Sequence, residues 1–126
     1  MSTGRITRPF ADGDYGFDLA WPQLIELEAA LGSGLLSVLE TMVNHRTGRA
    51  YTNREVIRLA LIGGGAEPKK ALTLVQSYVE ARPVMENFDL VAEILEAALF
   101  GSPEYQAQRR AEAKKTAAKK PRAKRG

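Results

Sequence analysis

The residues best suited to chemistry in this sequence are three consecutive glycines followed by a proline and two lysines, in the stretch LIGGGAEPKK. A glycine-rich loop binds phosphate through its backbone N–H groups when it follows a strand and carries a lysine and a Ser or Thr at its end. Here the residue after Lys70 is neither Ser nor Thr, and Pro68 stands where the last glycine of a dinucleotide-binding loop would fall. We therefore interpret Gly63, Gly64, Gly65 and Pro68 as a structural turn between two helices, and we expect no cofactor.

The other groups that could do chemistry are a lone histidine and a pair of carboxylates. His45 is the only histidine, and it follows a predicted helix, where a cation or a solvated side chain is favoured over a catalytic base. The spacing of Glu93 and Glu96 is typical of a solvated helix face. One histidine without any cysteine is a poor ligand set for zinc. We predict no catalytic residue and no metal site, and we expect that the protein is not an enzyme.

The two helices around the glycine turn leave a DNA-binding helix-turn-helix open as an alternative. Its second helix would present Lys69, Lys70 and Thr73 on the outer face. Glu67 and Glu80 flank that face and would repel DNA phosphates, so the pattern favours an ordinary helical hairpin.

Charge is distributed unevenly along the 126 residues. Residues 1–102 contain nine Lys or Arg and thirteen Asp or Glu, a net charge of −4, whereas residues 103–126 contain nine Lys or Arg and two Glu, a net charge of +7. Such a cationic segment binds nucleic acid without reading its sequence, or binds acidic proteins. The basic residues of this tail are Arg109, Arg110, Lys114, Lys115, Lys119, Lys120, Arg122, Lys124 and Arg125.

The composition indicates a small globular protein rather than a secreted or membrane protein. There is no cysteine, so no disulfide framework is expected. The first ten residues lack the apolar core of a secretory signal, and no segment reaches the roughly 18 consecutive apolar residues of a membrane-spanning helix. We expect a cytoplasmic protein that makes no contact with a membrane.

Periodicity predicts a mainly α-helical fold in three parts. Residues 1–20 form a β-hairpin around Asp12-Gly13, residues 21–102 form a bundle of about five short helices in one domain with the hairpin, and residues 103–126 form a basic, partly disordered tail. The stretch from Thr52 to Glu55 is predicted to be a capping box at the start of the third helix.

Three aromatic residues lie close together in sequence where the hairpin meets the first helix. Tyr15, Phe17 and Trp21 would form a partner-binding anchor, because aromatic side chains carry much of the binding energy at protein interfaces. Alternatively, they hold the hairpin against the bundle, and both roles are compatible with the sequence.

Four stretches in a fixed order carry a resemblance to a known family. They are WPQLIELEAALGSGLLSVLE, TNREVIRLALIGGG, ALTLVQSYVEARP and LVAEILEAALFG. In this order they resemble the small tail proteins of gene transfer agents and phages, which are labelled tail tube protein or tail assembly chaperone. The resemblance covers about residues 5–102 and leaves out the basic tail.

The resemblance implies a non-enzymatic part in building a phage-like tail. Because the sequence predicts one hairpin and several helices rather than the long strands of a tube wall, we favour a tail assembly chaperone that binds the tape measure protein, the tail tube protein or both. A structural component of the tail tube is the first alternative. A small helical protein that binds nucleic acid through its basic tail is the second.

Overall fold

The computed structural model describes residues 3–46 and 49–119 and shows a mainly helical protein with an N-terminal β-hairpin. This confirms the predicted fold class. In the described part of the chain, the α-helices are α1 Trp21–Leu31, α2 Leu35–His45, α3 Ala50–Gly63, α4 Pro68–Val75, α5 Phe88–Phe100 and α6 Pro103–Lys119. A π-helical turn, Gln76–Glu80, directly follows α4, and a 3-10 turn, Val84–Asn87, leads into α5.

The hairpin pairs β1, Ile6–Phe10, with β2, Gly13–Phe17, in an antiparallel register. Phe10 is opposite Gly13, so the two-residue loop is Ala11-Asp12, one residue earlier than the predicted Asp12-Gly13 turn. Ala11 has a φ of 56° and therefore occupies the left-handed position that glycine usually fills. The alanine at this position is the reason that the sequence pattern gave the wrong register for the turn.

The core is organised around α3, which packs against α1, α4, α5 and strand β2. Eight of its side chains are buried, and Val56, Ile57 and Ala60 are fully so. Apolar side chains of this kind each contribute about 1.5–3 kcal/mol when they leave water, so α3 supplies much of the core's stabilisation. Helix α2 packs mainly on α5 instead, which leaves α1 and α2 at the periphery.

Helix α3 begins at Ala50, two residues before the predicted capping box. Thr52 is therefore inside the helix, and it makes no capping hydrogen bond. Glu55 is buried and accepts a hydrogen bond of 2.7 Å from Nη2 of Arg58, one turn further along the helix. The capping-box prediction is wrong, because the side chain of Glu55 forms an ion pair with Arg58 within the helix and does not cap the helix N-terminus.

None of the helices in residues 3–46 and 49–119 is both long and apolar enough to span a membrane.

Candidate protein-binding surfaces

The glycine run lies where the end of α3 meets the hairpin. A Cβ at Gly63 would lie 1.8 Å from the carbonyl oxygen of Asp18, and one at Gly64 would lie 2.1 Å from that of Gly16. Gly65 has a φ of 115° and lets the chain turn toward Pro68, the first residue of α4. Backbone passes closely against backbone here, so the glycines are required for packing.

The N–H groups in this turn are already used. Gly64 N–H donates to Ala60 O at 2.8 Å, Gly65 N–H to Ile62 O at 3.0 Å, and Ala66 N–H to Leu61 O at 2.9 Å. A phosphate-binding loop directs free N–H groups at its ligand, and this turn directs them at its own helix. The geometry is that of a helix-ending turn.

The three aromatic residues at the junction do not form one cluster. Phe17 is fully buried and Tyr15 is half-buried, and the rings of both make edge-to-face contacts with the ring of Phe10. Trp21 is the first residue of α1, and 74% of its surface is exposed. Phe17 therefore lies in the core and Trp21 on the surface, and the partner-binding role of the three residues stays a prediction.

Tyr15 is held by a neighbour in the hairpin loop. Its hydroxyl donates a hydrogen bond to Oδ1 of Asp12, and the ring lies 5.8 Å from the ammonium of Lys70. The hydrogen bond stabilises the ionised carboxylate and the neutral phenol, so it lowers the pKa of Asp12 and raises the pKa of Tyr15. Tyr15 therefore has a structural partner within the hairpin.

Leu27 is the only fully buried side chain of helix α1. Part of the remaining helix surface is apolar and exposed. Trp21 and Ile25 are one turn apart on this face, with 74% and 59% of their surfaces exposed. Helix α2 has a comparable outer pair, Leu36 and Val43, two turns apart. Exposed apolar side chains grouped on a helix face make this surface a candidate for binding another molecule.

A cleft of about 500 Å³ opens between the start of α3 and the π-helical turn. Nε of Arg54 lies 2.8 Å from Oε2 of Glu80 across the cleft. The Asn53 side chain is buried in its wall and donates from Nδ2 to the carbonyl of Val84 at 2.6 Å, while its Oδ1 has no donor among the described residues. Sequence reasoning missed this cleft, because it depends on the packing of the π-helical turn against α3.

A second depression, the α2–α5 groove, has an apolar floor and an acidic rim. It has a volume of about 370 Å³. Its residues are Leu39, Val43, Asp89, Ala92, Glu93 and Glu96. Asp89, Glu93 and Glu96 follow one another at intervals of four and three residues, so they line one side of α5. Glu93 and Glu96 are exposed, as predicted, and they also line one wall of this groove.

The basic tail begins as a helix that extends past the core. Arg109, Arg110, Lys114 and Lys115 are all exposed on α6, and Lys119 is its last residue. From Ala107 to Ala117 every side chain is exposed. The predicted tail residues Lys120, Arg122, Lys124 and Arg125 lie outside the described residues. We refer to α6, Pro103–Lys119, as the basic arm.

A hydrogen-bonded elbow fixes the start of the basic arm. Ser102 N–H donates to Thr3 O at 2.7 Å, and Ser102 Oγ accepts from Tyr105 N–H at 3.1 Å. Gln106 Nε2 donates to Gly101 O at 2.8 Å. Gly101 has a φ of 100°, and a Cβ there would lie 2.3 Å from Cδ2 of Tyr105. The ring of Tyr105 therefore packs directly against Gly101.

The described residues contain no group of three or more His, Cys, Asp or Glu side chains placed to hold a metal ion. His45 ends α2, as the sequence predicted. The features that stand out in this part of the chain are apolar and charged surfaces rather than a reactive cluster.

A family sequence model matches residues 3–101 and places the chain in the class of phage-like tail proteins. That family is described as phage tail tube protein, GTA-gp10, and the chain belongs to it. The resemblance found in the sequence is confirmed. The match ends before α6, so the basic arm is not part of it. Comparison with curated proteins and with solved structures gave no match.

Proposed function

We propose that this protein is a tail assembly chaperone that binds an amphipathic helix of the tape measure protein on the outer face of α1. The observation that carries the proposal is the pair Trp21 and Ile25, which lie one turn apart and are both mostly exposed. A tape measure protein, in the role that the family resemblance implies, has long amphipathic helices whose apolar faces need cover before the tail is built.

The chemistry of the α1 face suits such a partner. An apolar helix face recognises another helix through side chains at spacings of three and four residues. Full burial of an Ile or a larger apolar side chain stabilises a complex by about 1.5–3 kcal/mol relative to exposure. Trp is also among the residue types that most often dominate binding energy at interfaces. Two such side chains on one turn give a compact centre for binding.

A structural part in the tail tube is the second candidate, because the family description itself says tail tube protein. In the described residues the only sheet has two strands of five residues each. A tube wall built by strand pairing draws on longer strands, whereas helical faces suit a helical partner. This contrast favours the chaperone role.

The test is co-expression of the full-length chain with a candidate tape measure protein. We expect the tape measure protein to become soluble and to co-elute with the chain. The double variant Trp21→Ser with Ile25→Ser should lose both effects. Leu72→Ser, which changes a side chain 37% exposed on α4, is the control and should retain them.

The two candidates also differ in the finished particle. A chaperone leaves before the tail is complete, so purified tails should contain little of this chain. A tube component should be present there in many copies per tail. Quantitative mass spectrometry of purified tails decides between the two, and high copy number would reject the chaperone role.

A further inference from the structure

We propose that the basic arm of one copy docks in the α2–α5 groove of a second copy, so that the chain self-associates through α6. This inference is independent of the proposed chaperone role. It rests on the exposure of α6, the fixed elbow at its start, and the complementary charge of the groove.

Among the described residues, the basic arm has no packing partner beyond its first turn. Its side chains from Ala107 to Ala117 are all exposed. A lone helix of 17 residues is only marginally stable in water, because most helix stability in proteins comes from packing of one face. The arm therefore gains from a surface supplied by another molecule.

One face of the arm is suited to an acidic groove. Ala107, Arg110, Ala111 and Lys114 follow one another at intervals of three, one and three residues and share one face. The alanines permit close approach of the helix backbone, while the two cations flank them. Glu112 lies on another side of the helix and does not oppose this contact.

The elbow fixes the start of the arm at the C-terminal end of α5. Ser102 is hydrogen bonded to Thr3 and to Tyr105, and the Tyr105 ring covers Gly101. Folding the arm back along α5 would break these contacts. We therefore assign the groove to the arm of a second copy rather than to its own arm.

The α2–α5 groove offers the complementary chemistry. Leu39, Val43 and Ala92 form its apolar floor, and 52% of the Val43 surface is exposed. Within the described residues Asp89 and Glu96 form no ion pair. Their carboxylates are therefore free of competing cations in that part of the chain.

Glu93, between them, forms an exposed ion pair with Arg8 at 3.4 Å. Exposed pairs of this kind are worth about 0–1 kcal/mol, so this carboxylate can exchange its partner. Arg110 and Lys114 are separated by the same four residues as Asp89 and Glu93, a rise of about 6 Å along either helix. The two charge patterns can therefore face each other.

Charge over the whole chain favours the same contact. Residues 1–102 carry −4 and residues 103–126 carry +7, so the arm of one copy is attracted to the body of another. Opposite potentials of this kind raise the association rate and orient the encounter. The contact joins two different surfaces, so it closes into a dimer when it is reciprocal and forms larger assemblies when it is not.

The test is the mass of the full-length chain in solution, measured by light scattering after size exclusion and by sedimentation. We expect a concentration-dependent mass of two copies or more at low salt, which falls as salt is raised. Arg110→Glu should weaken association about five- to tenfold, because it replaces an exposed attraction with a repulsion. Arg109→Glu makes the same change in charge outside the docking face and should have a smaller effect.

A charge exchange makes the assignment specific. The variant Arg110→Glu with Lys114→Glu and the variant Glu93→Lys with Glu96→Lys should each be monomeric alone. Their mixture should associate again, because the acidic arm of one variant meets the basic groove of the other and the unchanged arm of the second variant meets the unchanged groove of the first. All four positions are on the surface, and circular dichroism checks that each variant is folded.

The proposal is overturned if the wild-type chain stays monomeric up to about 1 mM, where an association worth only about 4 kcal/mol would still be visible. It is also overturned if association persists unchanged in both double variants. A monomer that binds a DNA duplex through Arg110 and Lys114 would assign the arm to nucleic acid instead.

Discussion

Gly63, the last residue of α3, lies against the backbone carbonyl of Asp18, the residue that follows the hairpin. The contact is so close that a Cβ at Gly63 would lie 1.8 Å from that oxygen. Beside it, Asp18 N–H donates to Ala60 O at 3.0 Å and ties the hairpin to the same helix. Because a lone two-stranded hairpin is marginal in water, this junction is what makes β1 and β2 part of the fold.

The first prediction concerns this junction. Gly63→Ala should lower the free energy of unfolding by about 1–3 kcal/mol or more, because the added methyl meets backbone that cannot rotate away. Chemical denaturation measures the change. Gly13→Ala is the control, since a Cβ there meets nothing within 4 Å and the backbone of Gly13 is not in the left-handed region. It should alter stability by no more than about 0.5 kcal/mol, and an equal loss in both variants would show that the close approach is not what matters.

The second prediction concerns the buried amide of Asn53. Asn53→Ala should lower the free energy of unfolding by about 0.5–1.5 kcal/mol, because the part-buried hydrogen bond from Nδ2 to the carbonyl of Val84 is lost. Asn53→Asp should be at least as harmful, since it places a carboxylate oxygen against that carbonyl. Asn44→Ala, at an exposed position on α2, is the control. Wild-type stability in Asn53→Ala would contradict the role of this hydrogen bond.

The third prediction uses the pair of Tyr15 and Asp12. The pKa of Tyr15 is raised in the folded chain. The stability that its hydrogen bond contributes to the fold is therefore fully present below the ordinary pKa of 10.0 and is lost as pH rises through the folded pKa. The pKa of Asp12 is lowered in the folded chain. The stability that its ionised carboxylate contributes to the fold is therefore present above the ordinary pKa of 3.8 and is lost as pH falls through the folded pKa.

Tyr15→Phe removes the hydrogen bond and with it both contributions. The loss of stability relative to the wild type should therefore depend on pH, with limits set by the folded pKa values of Asp12 and Tyr15. The difference between the two proteins should be constant between about pH 5 and 9 and should shrink at either extreme. Denaturation curves across the pH range measure it. A difference that does not change with pH would show that the hydrogen bond is absent in solution.

Much of this fold could be predicted from periodicity and end signals. Helix α2 buries Leu35, Leu39 and Met42, as their spacing indicates, and Pro68 opens α4. The hairpin turn was misplaced because Ala11 takes a conformation for which its side chain gives no signal.

The start of α3 was misplaced for a different reason. Thr52 and Glu55 have the spacing of a capping box, but tertiary packing buries both inside the helix.

The surfaces could be predicted less well than the fold. Trp21 and Phe17 have similar chemistry, and only their positions relative to α3 decide that one is exposed and the other buried. The cleft at Asn53 and the α2–α5 groove arise from contacts between segments distant in sequence, which periodicity does not report. The basic residues of α6 could be recognised from composition alone, because nothing in the described chain packs over them.

The fourth prediction separates binding from stability on α1. Trp21→Ser with Ile25→Ser should leave the free energy of unfolding within about 0.5 kcal/mol of the wild type, because both side chains are mostly exposed. Thermal unfolding measures this. A large loss of stability would mean that the two residues support the core, and a loss of binding in this variant could then not be assigned to contact.

The most direct measurement of the central claim is the soluble fraction of the tape measure protein when it is co-expressed with the full-length chain. The chaperone role predicts that the wild-type chain brings it into solution and co-elutes with it, and that the Trp21→Ser, Ile25→Ser variant does neither while remaining folded. If the tape measure protein stays insoluble beside the wild-type chain, or if the variant performs as well as the wild type, the proposed role of α1 is contradicted.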